Sequence, residues 1–236
     1  MTPSHALKTP APAGISAPPP HTPREAPLYT VRRPPRISKY MSVSQAENLR
    51  QATFFADNEL KLRLSQHLTI RWPKNAWSPQ KRRRLFELLR KWVNRAGVPF
   101  TAIWVVETGR LSEDVNPHAH MLVHLPDNLA EACAEFVRER METDTPDVKI
   151  GPVNDYGLLR YVLKGVDPTG YERFAVRKEH QDAEGPVAGL RCGTSRNIGR
   201  AAREAYFVAK TVSSQRPVTT EPETVSDHSY AELSGV

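Results

Sequence analysis

Two short segments of this 236-residue chain alternate strictly between apolar and polar residues. In His67-Leu68-Thr69-Ile70-Arg71-Trp72, the leucine, isoleucine and tryptophan share one parity, and the histidine, threonine and arginine share the other. In His118–Leu125, Ala119, Met121, Val123 and Leu125 oppose His118, His120, Leu122 and His124. Successive side chains of a strand point to opposite faces. Each segment therefore predicts a strand with one face packed beneath helices. A sheet with one covered face ordinarily carries Lys, Glu and Thr on the other; here that face collects imidazoles.

The surrounding pattern completes a fold. Gln45 to Leu64 reads as a helix, and Pro73 ends the first strand. Ser78 caps a second helix with Pro79 at its first position and Leu85, Leu88, Leu89, Trp92 and Val93 along one face. Gly97 and Pro99 stop it, and the β-branched and aromatic run Phe100–Glu107 is a second strand. Gly109 to Pro117 connects to the third strand, Pro126-Asp127 opens a helix to about Met141, and Val148–Val153 is a fourth strand. A last helix runs from Asp155 to Gly165 or Val166. The order βαββαβ predicts an α+β fold, a ferredoxin-like or RRM-like antiparallel sheet with one face covered by helices and the other open for catalysis.

Composition sets the limits of the folded part. Ten of the 21 prolines fall in the first 40 residues, among Ala, Ser, Thr and Arg. Such a stretch buries too little apolar surface to offset the entropy of ordering it, so 1–42 reads as a disordered arm. Residues 43–211 read as the folded domain with a basic C-terminal extension, and 212–236, rich in Ser, Thr, Glu and Pro, as a disordered tail. The net charge of +7 belongs to the middle: residues 61–211 carry 25 basic and 18 acidic groups. That favours a polyanionic partner. The two cysteines are too few for a disulfide framework or a cysteine zinc site. With no apolar run long enough to cross a bilayer, the expectation is a cytoplasmic protein without a membrane partner.

His118 and His120, two apart on one strand, lie roughly 6–7 Å apart at the backbone and can converge on one cation. Glu107 ends the preceding strand, and a short connection brings it beside them. Two imidazoles and a carboxylate leave open positions where a phosphate oxygen can be polarised. That ligand set suits Mg²⁺ or Mn²⁺, though imidazoles also accept Zn²⁺. His124 shares the parity and reads as a nucleic-acid contact. On the last helix, Leu158, Leu159, Val162, Leu163 and Val166 cover one side, while Tyr161 and Lys164 lie opposite. A lysine one turn from a tyrosine can stabilise negative charge on the phenol oxygen and neutralise a phosphate.

Lys81-Arg82-Arg83-Arg84 sits in the first turn or so of the second helix, where cations oppose the helix dipole. Arg82, Arg83 and Arg84 therefore read as phosphate contacts. The segment Arg191 to Arg200 leads into an amphipathic helix that Thr194 or Ser195 can cap, with Arg196 and Arg200 as further contacts.

The run Asn116-Pro117-His118-Ala119-His120-Met121-Leu122 resembles the His-hydrophobic-His motif of the HUH endonucleases, and Tyr161-Val162-Leu163-Lys164 resembles their Tyr-x-x-Lys motif. The strand His67–Trp72 sits where their first motif lies. Order and spacing over roughly 65–166 are similar to those of the rolling-circle replication initiator (Rep) branch. The resemblance implies a metal-dependent single-stranded DNA endonuclease with His118, His120 and Glu107 as metal ligands. It implies Tyr161 as the nucleophile, joined to a 5′ phosphate with release of a 3′ hydroxyl, and Lys164 as its catalytic partner. Thr69 and Arg71, in the first-motif strand, become DNA contacts, although that strand is more basic than the family's usual run. Tyr156 and Tyr161 do not share a helix face, which favours a single-tyrosine enzyme. Single-stranded DNA or an origin hairpin is the implied partner, with the host replicative helicase or polymerase beside it, and a bacterial phage or plasmid as the replicon. A single-tyrosine transposase or relaxase is the alternative within the superfamily. A non-catalytic nucleic-acid-binding module and a hydrolase using the histidines alone are the alternatives outside it.

Overall fold

The structure, a computed structural model, describes residues 36–73, 76–108, 117–153, 157–181 and 185–214. Its centre is a five-stranded sheet in which every neighbouring pair is antiparallel. The two alternating segments, β2 (Gln66–Arg71) and β4 (His118–Val123), lie side by side in the middle. β3 (Ala102–Glu107) flanks β4, and β5 (Asp147–Pro152) flanks β2. The expected α+β class and the βαββαβ order are both present.

Parity decides the layers. Leu68, Ile70, Ala119 and Met121 are fully buried under α2 (Pro79–Arg95) and α3 (Ala130–Arg140), which contribute Leu85, Leu89, Val93, Cys133, Ala134 and Val137. Ser78 starts α2 as expected, its hydroxyl accepting the Lys81 amide at 3.1 Å with Pro79 in the first position. The second face is less open than its histidines suggested. Ile103, Val105 and Leu122 share their parity, and apolar side chains in such positions need cover. It comes from Ala46, Leu49, Ala52 and Phe55 of α1 (Val43–Asn58) and from Leu159, Val162 and Leu163 in and just after α4 (Gly157–Val162). The polar end of this face is left as a recess beside α4.

Two features lie outside what alternation could reveal. A fifth strand, β7 (Cys192–Thr194), joins the β3 edge inside a segment read as the approach to a helix. Gly193 makes this possible: a Cβ there would stand 2.6 Å from Cζ2 of the Trp104 indole. After a 3₁₀ turn at Arg196–Ile198, the last helix, α5, runs from Arg200 to Ser214 and so includes the first residues of the expected tail. Residues 36–42 of the expected arm also belong to the fold. β1 (Ile37–Ser38) pairs with β6 (Val187–Ala188), and the buried Met41 exchanges backbone hydrogen bonds with Gly165 and Asp167, both 2.8 Å. Residues 1–35 and 215–236 lie outside the described residues, as do Asp155, Tyr156 and the 109–116 connection. Among the described residues no helix is long and apolar enough to cross a membrane.

The chain beyond α4 doubles back. Phe174 and Val176 are buried in the second-face core, and between them Ala175 adopts φ +49° to turn the backbone. Arg173 anchors this return to α1 through Glu47 at 2.9 Å. Glu47 also receives Arg50 and Gln51. The hydrogen bond from Arg50 leads in holding its carboxyl down to about 2, against the opposing effect of burial, with help from Gln51 and Arg173. A carboxylate with a lowered folded-state pKa adds stability above its ordinary value of 4.5 and loses it as the pH falls towards 2. Glu47→Gln should therefore lower the thermal midpoint at pH 7, with the gap to the parent chain closing between pH 4.5 and 2 in melts followed by circular dichroism.

Candidate functional site

The recess is organised by sheet register. Glu107, at the last position of β3, is the direct cross-strand partner of His118, and Val105 is the partner of His120. One glutamate oxygen, Oε2, lies 3.2 Å from His118 Nε2 and 3.4 Å from His120 Nε2. The third group is Lys164, whose ammonium is 2.8 Å from the same oxygen. Glu107 is 3 % exposed, His120 4 % and Lys164 9 %. His118 is half-buried.

Burial alone would push the Glu107 carboxyl up; the contacts with His118 and His120 and the charges of His120 and Lys164 overcome it, and the group is held well below the carboxylate range. Burial likewise pulls at Lys164, but the charge and hydrogen bond of Glu107, then Tyr161, raise its pKa and keep it an ammonium. For His120 burial wins over the favourable contact with Glu107, so its pKa falls.

Glu107, His118 and His120 each offer one ligand atom to a metal ion, and these atoms all lie within 4.8 Å of one another. Their fit to a cation does not rest on proximity alone. Glu107 Oε1 and His120 Nε2 are buried without a partner in hydrogen-bond geometry among the described residues. A buried polar atom left this way costs about 1–3 kcal/mol, a cost that a bound cation relieves. Oε2 is engaged with Lys164, whereas Oε1 is not.

His67, which sequence reading placed on this face without a role, completes the surroundings of His120. Its Nε2 is 2.9 Å from His120 Nδ1, and the two rings stack with centroids 5.1 Å apart. Burial, then proximity to His120 and Lys164, pushes His67 down to about 4 against the pull of Glu107. Thr69 Oγ1 lies 3.2 Å from the same His120 nitrogen. Both contacts leave His120 Nε2 facing Glu107 and His118.

Tyr161 lies over this cluster. Its ring meets His120 edge to face at 5.3 Å, and the Lys164 ammonium is 3.8 Å from its centroid. The His180 ring stands at 5.6 Å from it, again edge to face. The parity that separated Tyr161 and Lys164 from the apolar stripe of α4 thus turns them towards the histidines rather than towards bulk solvent.

The remaining expected contacts spread widely. Thr69 is 9 % exposed with its hydroxyl engaged by His120 and His67, so the expectation of an exposed DNA contact there is corrected. Arg82 is corrected too: it is 5 % exposed, donates to the Leu190 carbonyl and lies 4.5 Å over the Trp104 ring. Burial lowers its pKa to about 10, although the Cys192 thiol opposes that. This arginine faces inward because α2 must seal the edge of the sheet against β3 and β7. Arg83 and Arg84 stay exposed, but α2 covers the face opposite the histidines. Arg71 shares the site's face as the cross-strand partner of His118, in an exposed pair with Asp147 at 3.0 Å. His124 is half-buried, with Nδ1 2.8 Å from the Arg63 carbonyl. Arg196 and Arg200 lie beyond the Ala102 end of β3, where Ser195 is tied to Ala102. That end is roughly 16 Å along the strand from Glu107.

Lys164→Met should destabilise the chain by about 3 kcal/mol, because it strands a buried carboxylate. Adding Glu107→Gln should recover a large part of that loss, giving a non-additive cycle in urea unfolding.

Neither the curated proteins nor the solved structures gave a match to the chain. The family comparison did: residues 65–169, from the segment that opens β2 to the turn after Lys164, match the family described as Replication-associated protein ORF2.

Proposed function

We propose that this protein is a replication initiator that nicks single-stranded DNA by transesterification, with Tyr161 as nucleophile. The observation that carries the reading is the position of the Tyr161 ring, 5.3 Å from His120 and beneath the Lys164 ammonium. A reacting phenol, a positive charge and a Glu-His-His cluster then share one recess. The match of residues 65–169 to a replication-associated family favours an initiator over a transposase or relaxase, and makes DNA the natural partner of a folded part with a basic excess.

Glu107, His118 and His120 would hold a divalent cation, Mg²⁺ or Mn²⁺, which when bound supplies Lewis-acid polarisation of the scissile phosphate. The protein's own groups do the rest. Tyr161 Oη attacks phosphorus in line and loses its proton. The bond from Oη to phosphorus forms as the bond from phosphorus to O3′ breaks, and the leaving oxygen takes a proton to become a 3′ hydroxyl. Lys164 offsets the charge that develops on the phenol oxygen and the phosphate. The 3′ hydroxyl can prime synthesis by a host polymerase or reverse the reaction and rejoin the strand. His67 and Thr69 fix the orientation of His120, the role that outer partners of a ligating imidazole ordinarily play. Arg71 can exchange its exposed pairing with Asp147 for a phosphate at low cost, and Arg196, Arg200 and His124 would meet DNA farther along the sheet.

Incubation with a pool of single-stranded oligonucleotides and Mn²⁺ should give a denaturant-stable protein–DNA adduct on the peptide containing Tyr161. Tyr161→Phe, chelation, or the pair His118→Ala and His120→Ala should abolish it. An adduct on another residue, or one that survives loss of both histidines, would overturn the mechanism. In calorimetry with Mn²⁺ alone, His67→Ala should bind about 10- to 100-fold more weakly than the parent chain.

A further inference from the structure

Tyr161 stands between two features of the site. One is the Glu-His-His cluster, which its ring meets at His120; the other is a cleft of about 510 Å³ between α4 and the returning chain at Ala175–His180. The charged and titratable side chains lining this cleft among the described residues, besides Tyr161 itself, are Arg160, Lys164, Arg177 and His180, with no carboxylate among them. The far wall is fixed in place. Phe174 and Val176 are buried in the core, Arg173 is tied to Glu47, and Ala175 holds a left-handed backbone conformation at φ +49°. A non-glycine residue in that region is uncommon, and such strain concentrates at functional walls. Arg160 and Arg177 are both exposed. The ion pair of Arg177 with Glu179, at 3.9 Å between largely exposed groups, is readily exchanged.

We infer that this cleft is a second phosphate subsite, which takes the sugar-phosphate backbone of the nucleotides adjoining the scissile phosphate through Arg160, Arg177 and His180. The inference rests on the proposed nicking of single-stranded DNA and adds the path of the strand: from the Glu-His-His recess, across the phenol of Tyr161, into the cleft. Arginine suits this task because its fork of donors fits phosphate oxygens and its charge does not depend on pH. The His180 ring, edge-on to Tyr161 at 5.6 Å, closes the cleft against the phenol.

Fluorescence anisotropy with a labelled single-stranded oligonucleotide and Mn²⁺ tests this in the full chain. A Tyr161→Phe background prevents covalent linkage and keeps the aromatic wall. Adding Arg160→Ala and Arg177→Ala should weaken binding about tenfold near 0.1 M salt and reduce the slope of log K against log salt by about 1.4, or about 0.7 for each phosphate no longer neutralised. Replacing both arginines by lysine should restore most of the slope. Arg83→Ala with Arg84→Ala, an equal loss of charge on the opposite layer, should change binding little, and Mn²⁺ affinity should be the same in all of these chains. If the Arg160/Arg177 pair binds like its parent, or the Arg83/Arg84 pair loses as much, the cleft is not a subsite and the nicking proposal stands. If the Tyr161→Phe parent and the unsubstituted chain both fail to bind single-stranded DNA, the nicking proposal falls and the subsite with it.

Discussion

A carboxylate buried at the end of an inner strand must be compensated, and much of the site follows from how Glu107 meets that demand. An isolated buried charge costs several kcal/mol. Here the compensation comes from two imidazoles of the neighbouring strand and an ammonium that follows α4, all within 3.4 Å of one oxygen. The antiparallel register fixes the first two, since Glu107 pairs with His118 and Val105 with His120. A one-residue slip of β4 would turn both imidazoles to the opposite face, where α2 and α3 pack. Apolar packing on that face therefore locks the polar cluster on this one. Leu68, Ile70, Ala119 and Met121 cannot move into water, so Thr69, His118 and His120 cannot leave the recess.

The same logic extends to the helix that carries Tyr161. Six residues of α4 are too few to be stable alone, so their position depends on Leu159, Val162 and Leu163 packing beneath α1 and on the pair between Lys164 and Glu107. Tyr161 is held from both ends of that arrangement. Its ring contacts both His120 and His180, and so joins the sheet's polar face to the returning chain.

Much of this was legible in the sequence because a period of two is a geometric statement. The alternation in 67–72 and 118–125 identified the strands, the shared face and the histidines on it, and the position of Glu107 before a short connection placed it beside them. The helical parity of Tyr161 and Lys164 was legible for the same reason. The second layer was not. Ile103, Val105 and Leu122 lie at positions of the polar parity, but the pattern does not state which helix covers them, and α1 has only a weak amphipathic signal. β7 was hidden because three residues with a central glycine carry no alternation, and its place depends on the Trp104 indole fitting against a residue without a side chain. Arg82 failed as a surface contact because a run of like charges reads as one exposed patch, whereas a helix turns successive residues through about 100° and directs one of them inward over Trp104. The partnership of His67 with His120 was hidden for a different reason. Their strands are sequence-distant, and only the register between β2 and β4 brings the rings together.

The two faces of the sheet consequently answer to different physics. On the face beneath α2 and α3, exchanging one apolar side chain for another of similar volume costs little, because packing asks for shape and little else. On the other face, each polar group is the condition for its neighbour. His67 needs His120, His120 needs Glu107, Glu107 needs Lys164, and Lys164 lies against the ring of Tyr161. A change that draws Glu107 away from Lys164 is felt at the phenol through one side chain, because that ammonium is both the counter-charge of the carboxylate and the group stacked on the tyrosine. The position of the Tyr161 ring is thus coupled to the charge state of the cluster it adjoins, and the coupling needs no movement of the sheet.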